Sequence, residues 1–379
     1  MFNKRNLRVL FYCLCAVLLT LGFVGWKLQQ VTGDAAGTLK FLRALSVIRN
    51  NYNGDVDNSK LFDGAISGMV NSLGDPYTVY LDKKNYEALT EMTGGSFGGI
   101  GIVFGKKDND FVVISALPDN PGALAGIKSG DKIIAIDGKE TKDMNMEEVA
   151  HKIRGAKGTT VAIKLLAKDG AEKNVKVVRG EIKSPSVGGQ LLPGTKIGYL
   201  RITVFNENTG ADFKKKYQEL EAAGMQATIL DLRGNPGGVL EDGVAVAGML
   251  VPKGPIVSVV DKAGNKYVEK SSLPKVKYPL AVLVDHGSAS AAEIVAGAIK
   301  DTKAGRLFGV KTFGKGSVQA VYQISGDTAV KVTTAKYYTP SGVSIHNVGI
   351  EPDEVVELPD DATVDVQLKA AKEYLLGKL

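Results

Sequence analysis

The sequence predicts a mixed α/β protein with a smaller β-rich module set into it and an apolar helix at its N-terminus. Three observations carry this. Residues 182–358 alternate short apolar strands with amphipathic helices, residues 94–180 hold short strands broken by glycine-rich turns, and residues 9–26 form an uncharged apolar run of 18 residues behind Lys4, Arg5 and Arg8. The 379 residues are 44% hydrophobic and 23% charged, a globular composition with room for two or three domains. The net charge of +6 is spread without a basic block. That argues against nucleic acid as a partner and supports at most a mild attraction to anionic membrane surfaces.

At about 1.5 Å per residue the apolar run just spans a bilayer core. Its basic flank predicts a cytoplasmic N-terminus and an exported bulk, so residues 1–30 read as a membrane anchor. A cleavable signal peptide is the rival, but the run exceeds a usual h-region and no A-x-A site closes it. Residues 36–93 read as a helical region, with apolar spacing at Leu39, Leu42, Leu45 and Ile48, then at Leu61, Ala65, Met69 and Leu73. The turn-rich LGDPYTVYL, residues 73–81, reads as a structural turn with packed tyrosines.

Within 94–180, KKDND at 106–110 signals a hairpin between strands 97–105 and 111–117. A short helix at 121–125, a strand at 133–136, an amphipathic helix at 147–153 and two strands meeting at KDG (161–166 and 174–178) complete the module. The core, 181–358, continues as strand 197–204, helix 211–222, strand 227–232, helix 239–250 and a hairpin of 256–260 with 266–270. Then come a buried strand 280–284, helix 289–300 and strands 307–310, 318–324 and 329–334. Residues 359–379 hold a final helix over 365–376.

Chemistry is suggested at the junction in residues 278–302, where an apolar strand breaks into Gly and Ser and resumes as a helix. Ser288 and Ser290 fall at a helix N-terminus, where free N–H groups and the positive dipole end favour developing negative charge. The plainer reading is that Ser290 and Glu293 form a capping box. Lys315, between two glycines and near Phe313 and Val318, can lose solvation and serve as a neutral general base for a serine. In RGNPGG, 233–238, Pro236 fixes φ and the glycines let backbone approach a ligand. Cys13 and Cys15 lie in the apolar run, which leaves no cysteine for a disulfide framework or a nucleophile elsewhere. His151, His286 and His346 lack metal-ligand spacing. Asp285 and His286 invite a Ser-His-Asp triad with Ser290, but adjacent side chains at a strand end diverge, so His286 reads as a partly exposed loop residue.

DLRGNPGG (231–238), SASAAE (288–293) and TFGKGSVQ (312–319), in this order along the chain, resemble the carboxyl-terminal processing peptidases, or tail-specific proteases, of family S41. The resemblance spans nearly the whole chain. It implies a crotonase-like mixed α/β core in which Ser290 is the nucleophile, Lys315, 25 residues on, the general base, and Gln319 the group that orients the lysine. It implies an oxyanion hole built from an N–H of the Gly237/Gly238 pair and that of Ala291, with Glu293 capping the helix and supporting the site. Where this chain has Asp285 the family commonly has asparagine, which could alter the charge near the serine. FGGIGIVF, 97–104, and the element order after it look like a PDZ domain, in which Phe97, Gly98, Gly99, Ile100 and Gly101 would meet a peptide's terminal carboxylate.

The resemblance therefore leads to a membrane-anchored serine endopeptidase that captures polypeptides by their C-termini and cleaves them, through an acyl-enzyme, on the extracytoplasmic side of the cell membrane. It implies no metal or organic cofactor. A catalytically silent PDZ scaffold for exported C-termini is the first alternative, and a crotonase-like acyl-transfer enzyme the second. Substrate, cleavage preference and oligomeric state, a homo-oligomer included, stay open.

Overall fold

The computed structural model describes residues 4–107, 109–359 and 362–379. The chain divides into two compact units, Met1–Ser72 and Leu73–Leu379. The first is helical: α1 (Lys4–Thr32), α2 (Ala35–Asn51) and α3 (Asn58–Asn71). Asp34 and Asp57 start α2 and α3 by accepting from the N–H groups of Gly37 and Ser59, each at 2.9 Å. The 22 residues Phe11–Thr32 of α1 are long and apolar enough to cross a membrane, and none of that window is buried.

The second unit begins with β1 (Val79–Leu81) and α4 (Lys83–Gly94), then the β-rich module: β2 (Ser96–Gly99), β3 (Ile102–Lys107), β4 (Asp110–Ala116), α5 (Pro121–Leu124), β5 (Lys132–Ile136), β6 (Lys139–Glu140), α6 (Met146–Ile153), β7 (Thr160–Leu166), β8 (Glu172–Val178) and β9 (Gly180–Lys183). Its sheet runs β3-β4-β5-β7-β8, with β6 on β5, and closes over a core of Ile100, Phe111, Val113, Ile133, Ile136 and Val161 among others. Asn145 and Glu148 form a reciprocal capping box at the start of α6. The module leaves and rejoins the chain through one ribbon, β2 antiparallel to β9.

The core follows as β10 (Val187–Leu191), β11 (Ile197–Ile202), α7 (Thr209–Ala222), β12 (Ala227–Asp231), α8 (Leu240–Leu250), β13 (Gly254–Asp261), β14 (Lys266–Ser271), β15 (Leu280–Val284), α9 (Ala291–Asp301), β16 (Arg306–Gly309), β17 (Ser317–Ser325), β18 (Thr328–Tyr338), β19 (Glu354–Val355) and α10 (Val366–Leu376). One sheet runs β10-β11-β12-β15-β16-β19 and is parallel from β11 onward. All five residues of β12 and of β15 are buried, as expected where both faces of a parallel sheet are covered. Alternation sorts them: Val282 and Val284 face the cluster that also holds Val246, Val295 and Ile299 of α8 and α9, while Ala281 and Leu283 face Ala371 and Leu375 of α10. Each such Val or Leu contributes roughly 1.5–3 kcal/mol of burial. Helix α9 is buried along Ala291–Ile299, Glu293 included, so it is packed on every side.

A second sheet runs β1-β18-β13-β14, with β17 also paired to β18. Here the structure departs from the sequence grouping of 36–93 as one helical region. Val79, Tyr80 and Leu81 pair with Lys331, Val330 and Ala329, so LGDPYTVYL is built into the core sheet, and the long-range ladder outweighs its local turn chemistry. The helix Lys83–Gly94 that follows has a sparse apolar pattern, and the sequence gives little periodicity to find it by.

Candidate active site

In a parallel sheet all strand carboxyl ends lie on one side, and loops leaving them meet there. The loops after β12, β15 and β16 do so, carrying RGNPGG, DHGSAS and KTFGKG. Asp285 clamps the first two: its Oδ1 accepts from the N–H groups of Gly234 (2.8 Å) and Gly287 (2.9 Å) and from Ser288 Oγ (3.2 Å). Buried Ser288 donates to the Leu232 carbonyl at 2.9 Å, and the Ala289 N–H reaches the Asn235 carbonyl at 2.9 Å. His286 is exposed, and Asp285 spends its carboxylate on the loop, so no Ser-His-Asp arrangement exists here. Ser288 thereby becomes a latch between loops.

Ser290 sits at φ 53° and ψ −117°, a region costly for a residue with a Cβ, at the turn from β15 into α9. Strain of about 1–3 kcal/mol is held there by the packing around it. Gly237, at φ +93°, lies against this turn so closely that a Cβ on it would stand 2.6 Å from Ser290 Cβ. Of the two glycines expected to supply an oxyanion donor, Gly237 already donates its N–H to Asn235 Oδ1 at 2.8 Å. Among the described residues the N–H groups of Gly238 and Ala291 have no acceptor, and they are the donors left for a ligand.

Glu293 lies on the first turn of α9, fully buried, with four donors on its carboxylate. Oε2 accepts from the N–H of Ser290 (2.9 Å) and of Lys315 (2.8 Å); Oε1 accepts from Thr312 Oγ1 (2.6 Å) and the N–H of Gly314 (2.7 Å). Burial pushes its carboxyl up, and these bonds draw it back. One side chain thus fixes the serine turn to the lysine loop. Gly316 lets that loop press on the 346–349 segment, since a Cβ there would meet the His346 nitrogen at 2.5 Å.

Lys315 is half-buried, with Nζ 5.1 Å from the centre of the Tyr77 ring. Burial, and after it the charge of Lys331, lower its pKa from the ordinary 10.5, while Glu293 and Asp75 oppose the shift. Tyr337 is buried, its hydroxyl pushed well up by burial; it donates to the Lys315 carbonyl and has the Ser290 side chain as a second hydrogen-bond partner. Ser290, Lys315, Gln319, Lys331, Tyr337, Gly237 and Gly238 all open on one cavity of about 740 Å³. Among the described residues no hydrogen bond joins Ser290 Oγ to Lys315 Nζ. Gln319 is expected to hold the lysine, yet its Nε2 donates to Ser317 Oγ (2.9 Å) and Thr333 Oγ1 (3.3 Å). A register shift between Val318 and Gln319 re-aims it on the strand.

The module's loop is 97–101. Phe97 stacks under the Arg154 guanidinium at 4.4 Å, and Gly98 and Gly99 lie in the ribbon to β9. The carbonyls of Ile100 and Gly101 accept from Gly122 and Leu117, whereas their N–H groups have no acceptor among the described residues. Beside them β3 is a sheet edge, paired only with β4 among the described strands. No cluster of three His, Cys, Asp or Glu side chains suited to a metal occurs among the described residues.

Sequence reasoning passed over Tyr77, Lys331 and Tyr337 as parts of this site. Tyr77 is 238 positions from Lys315 and reaches it only because β1 joins β18. LGDPYT itself was the available signal; for Lys331 and Tyr337, strand residues within an ordinary alternating pattern, there was none.

A model described as Peptidase family S41 matches residues 196–356, one for the activating protease CtpB N-terminal domain matches 26–85, and one for the PDZ domain matches 112–166. The chain is 37% identical over 385 residues to the carboxy-terminal processing protease CtpA of Bacillus subtilis, covering 99% of this chain and 82% of that one. It is 36% identical over 327 residues to CtpB of the same organism, covering 85% and 68%. A solved structure of a candidate S41 protease from Bacteroides fragilis superposes at TM-score 0.51 with 16% identity, covering 88% of this chain and 97% of that one, a likeness of fold.

Proposed function

This chain belongs to the carboxy-terminal processing proteases of peptidase family S41 and carries a PDZ domain, and on that premise we propose that it is a serine endopeptidase working through Ser290 and Lys315. The observation that supports this most is the shared cavity, on which the two side chains open with Gly238, whose N–H, like that of Ala291 next to Ser290, has no acceptor among the described residues. Neutral Lys315 takes the Oγ proton as Ser290 attacks the scissile carbonyl; the oxyanion rests on Gly238 and Ala291; the amine leaves with the proton from Lys315. Lys315 then activates water, which releases the acyl group. Hydrogen bonds between base and nucleophile often tighten only with substrate bound, so a dyad with no Oγ to Nζ hydrogen bond among the described residues is compatible with this sequence of events.

Gln319 lines the same cavity as the lysine and is the group that would orient it once substrate is bound. Glu293 positions both partners. The PDZ domain receives an extended C-terminus along the β3 edge, with the N–H groups of Ile100 and Gly101 meeting the terminal carboxylate. In this reading helix α1 anchors the chain in the cell membrane with the catalytic unit extracytoplasmic, which the apolar stretch of α1 and the basic residues before it support.

Labelling by a fluorophosphonate, a serine-directed acylating reagent, tests the dyad. Wild type should label, Ser290→Ala should not, and Lys315→Ala should label at least about 100-fold more slowly, the contribution of a general base. Wild-type labelling of Lys315→Ala would overturn the proposal.

A further inference from the structure

The cavity holds a second lysine that the proposed chemistry leaves unused. Side chains alternate along β18, so Lys331 and Thr333 share a face, and Thr333 on that face accepts from Gln319. The register sets Lys331 opposite Val321 of β17 on one side and Val79 of β1 on the other, half-buried between two strands. Among the described residues no ion pair joins it to a carboxylate. Lys331 opens on the same cavity as Ser290 and Lys315.

We propose that Lys331 is a positioning residue acting through Lys315: its ammonium opposes a second positive charge in the cavity and leaves Lys315 as the free amine that a general base has to be. Two like charges at one poorly solvated site are disfavoured, and the one with less solvation gives up its proton. The other groups around Lys315 are Glu293 on α9, Asp75 and Tyr77 in the turn before β1, and Tyr337 on β18, with His346 beyond Tyr77. Glu293 and Asp75 favour the protonated amine, so burial and Lys331 have to outweigh them. With Lys331 neutral, only burial opposes the two carboxylates.

This rests on the Ser290 and Lys315 reading, and the test separates the two. The rate of fluorophosphonate acylation is followed against pH for wild type, Lys331→Met, Lys331→Gln and Lys331→Arg, each checked for fold by circular dichroism. Lys331→Gln serves where the Met variant does not fold. At a pH on the wild-type acid limb the neutral variants should acylate about tenfold more slowly, as a limb displaced by one pH unit requires. The deficit should shrink as pH rises, and Lys331→Arg should follow wild type. Acid limbs that superpose in all four proteins, or a deficit equal at every pH, would overturn the role of Lys331. Wild-type acylation of Ser290→Ala or Lys315→Ala in the same series would instead sink the dyad itself.

Discussion

A buried carboxylate with four donors and a lysine with lowered proton affinity are the two residues on which the site's energetics turn. Glu293→Gln replaces one oxygen with an amide N–H₂ that faces two donors, leaving buried polar groups unpaired at a cost of about 2–4 kcal/mol. The expected outcome is a lower unfolding midpoint together with a loss of acylation, because the Ser290 and Lys315 N–H groups share that acceptor. Lys315 carries a pH signature. Its folded pKa is depressed, so between that value and 10.5 the unfolded chain binds more protons, and stability rises with pH across the window. Below the folded value the burial cost is fully present. Lys315→Met should therefore raise the melting temperature in mildly acidic buffer while abolishing cleavage, a pairing that calorimetry and a peptide assay read together. Gly237→Ala should lose activity outright, since both its φ and the 2.6 Å approach to Ser290 Cβ forbid a side chain.

At the scale of elements, the site depends on how loops at strand ends are tied to the layers behind them. Arg233 shows this: it donates to both Asp231 oxygens, at 3.0 and 2.7 Å, and to both Asp365 oxygens, at 3.0 and 2.8 Å, while Asp365 also caps α10. Buried Asp231 further accepts from Tyr199, whose hydroxyl is pushed up to about 12 by burial and then by that carboxylate. Breaking a largely buried pair by removing one partner costs about 3–5 kcal/mol. Arg233→Met should lower stability by that order in denaturant unfolding and loosen α10, with faster amide exchange over Val366–Leu376 as the local readout. An effect below about 1 kcal/mol would mean the network is solvent-screened.

For the whole molecule, one apolar helix and one catalytic unit make separable demands. If α1 anchors the chain, full-length protein should sediment with membranes and need detergent for release, and a chain lacking residues 1–32 should be soluble yet still label with fluorophosphonate. Retention of the shortened chain on membranes would place the attachment elsewhere. The chain enters and leaves the PDZ domain through the ribbon of Ser96–Gly99 on Gly180–Lys183, so both of its connections to the S41 core cross at one place.

Periodicity and short motifs made most of the elements, the apolar N-terminal helix and the two all-buried strands legible, because each is written in residues within a few positions of one another; Ser290 and Lys315 were singled out by motifs that resemble a family's, and β1 and the helix Lys83–Gly94 were not legible. The apolar runs of β12 and β15, the helix after DHGSAS and the glycines around Lys315 are local facts. Tertiary structure alone decided the rest: that Tyr77 reaches Lys315 across 238 positions, that Gly237 spends its N–H on Asn235 and leaves Gly238 free, that Glu293 holds two loops, and that Lys331 shares the cavity. The physical reason is that which strand ends adjoin, and which hydrogen bonds saturate first, depends on long-range pairing that no local pattern encodes.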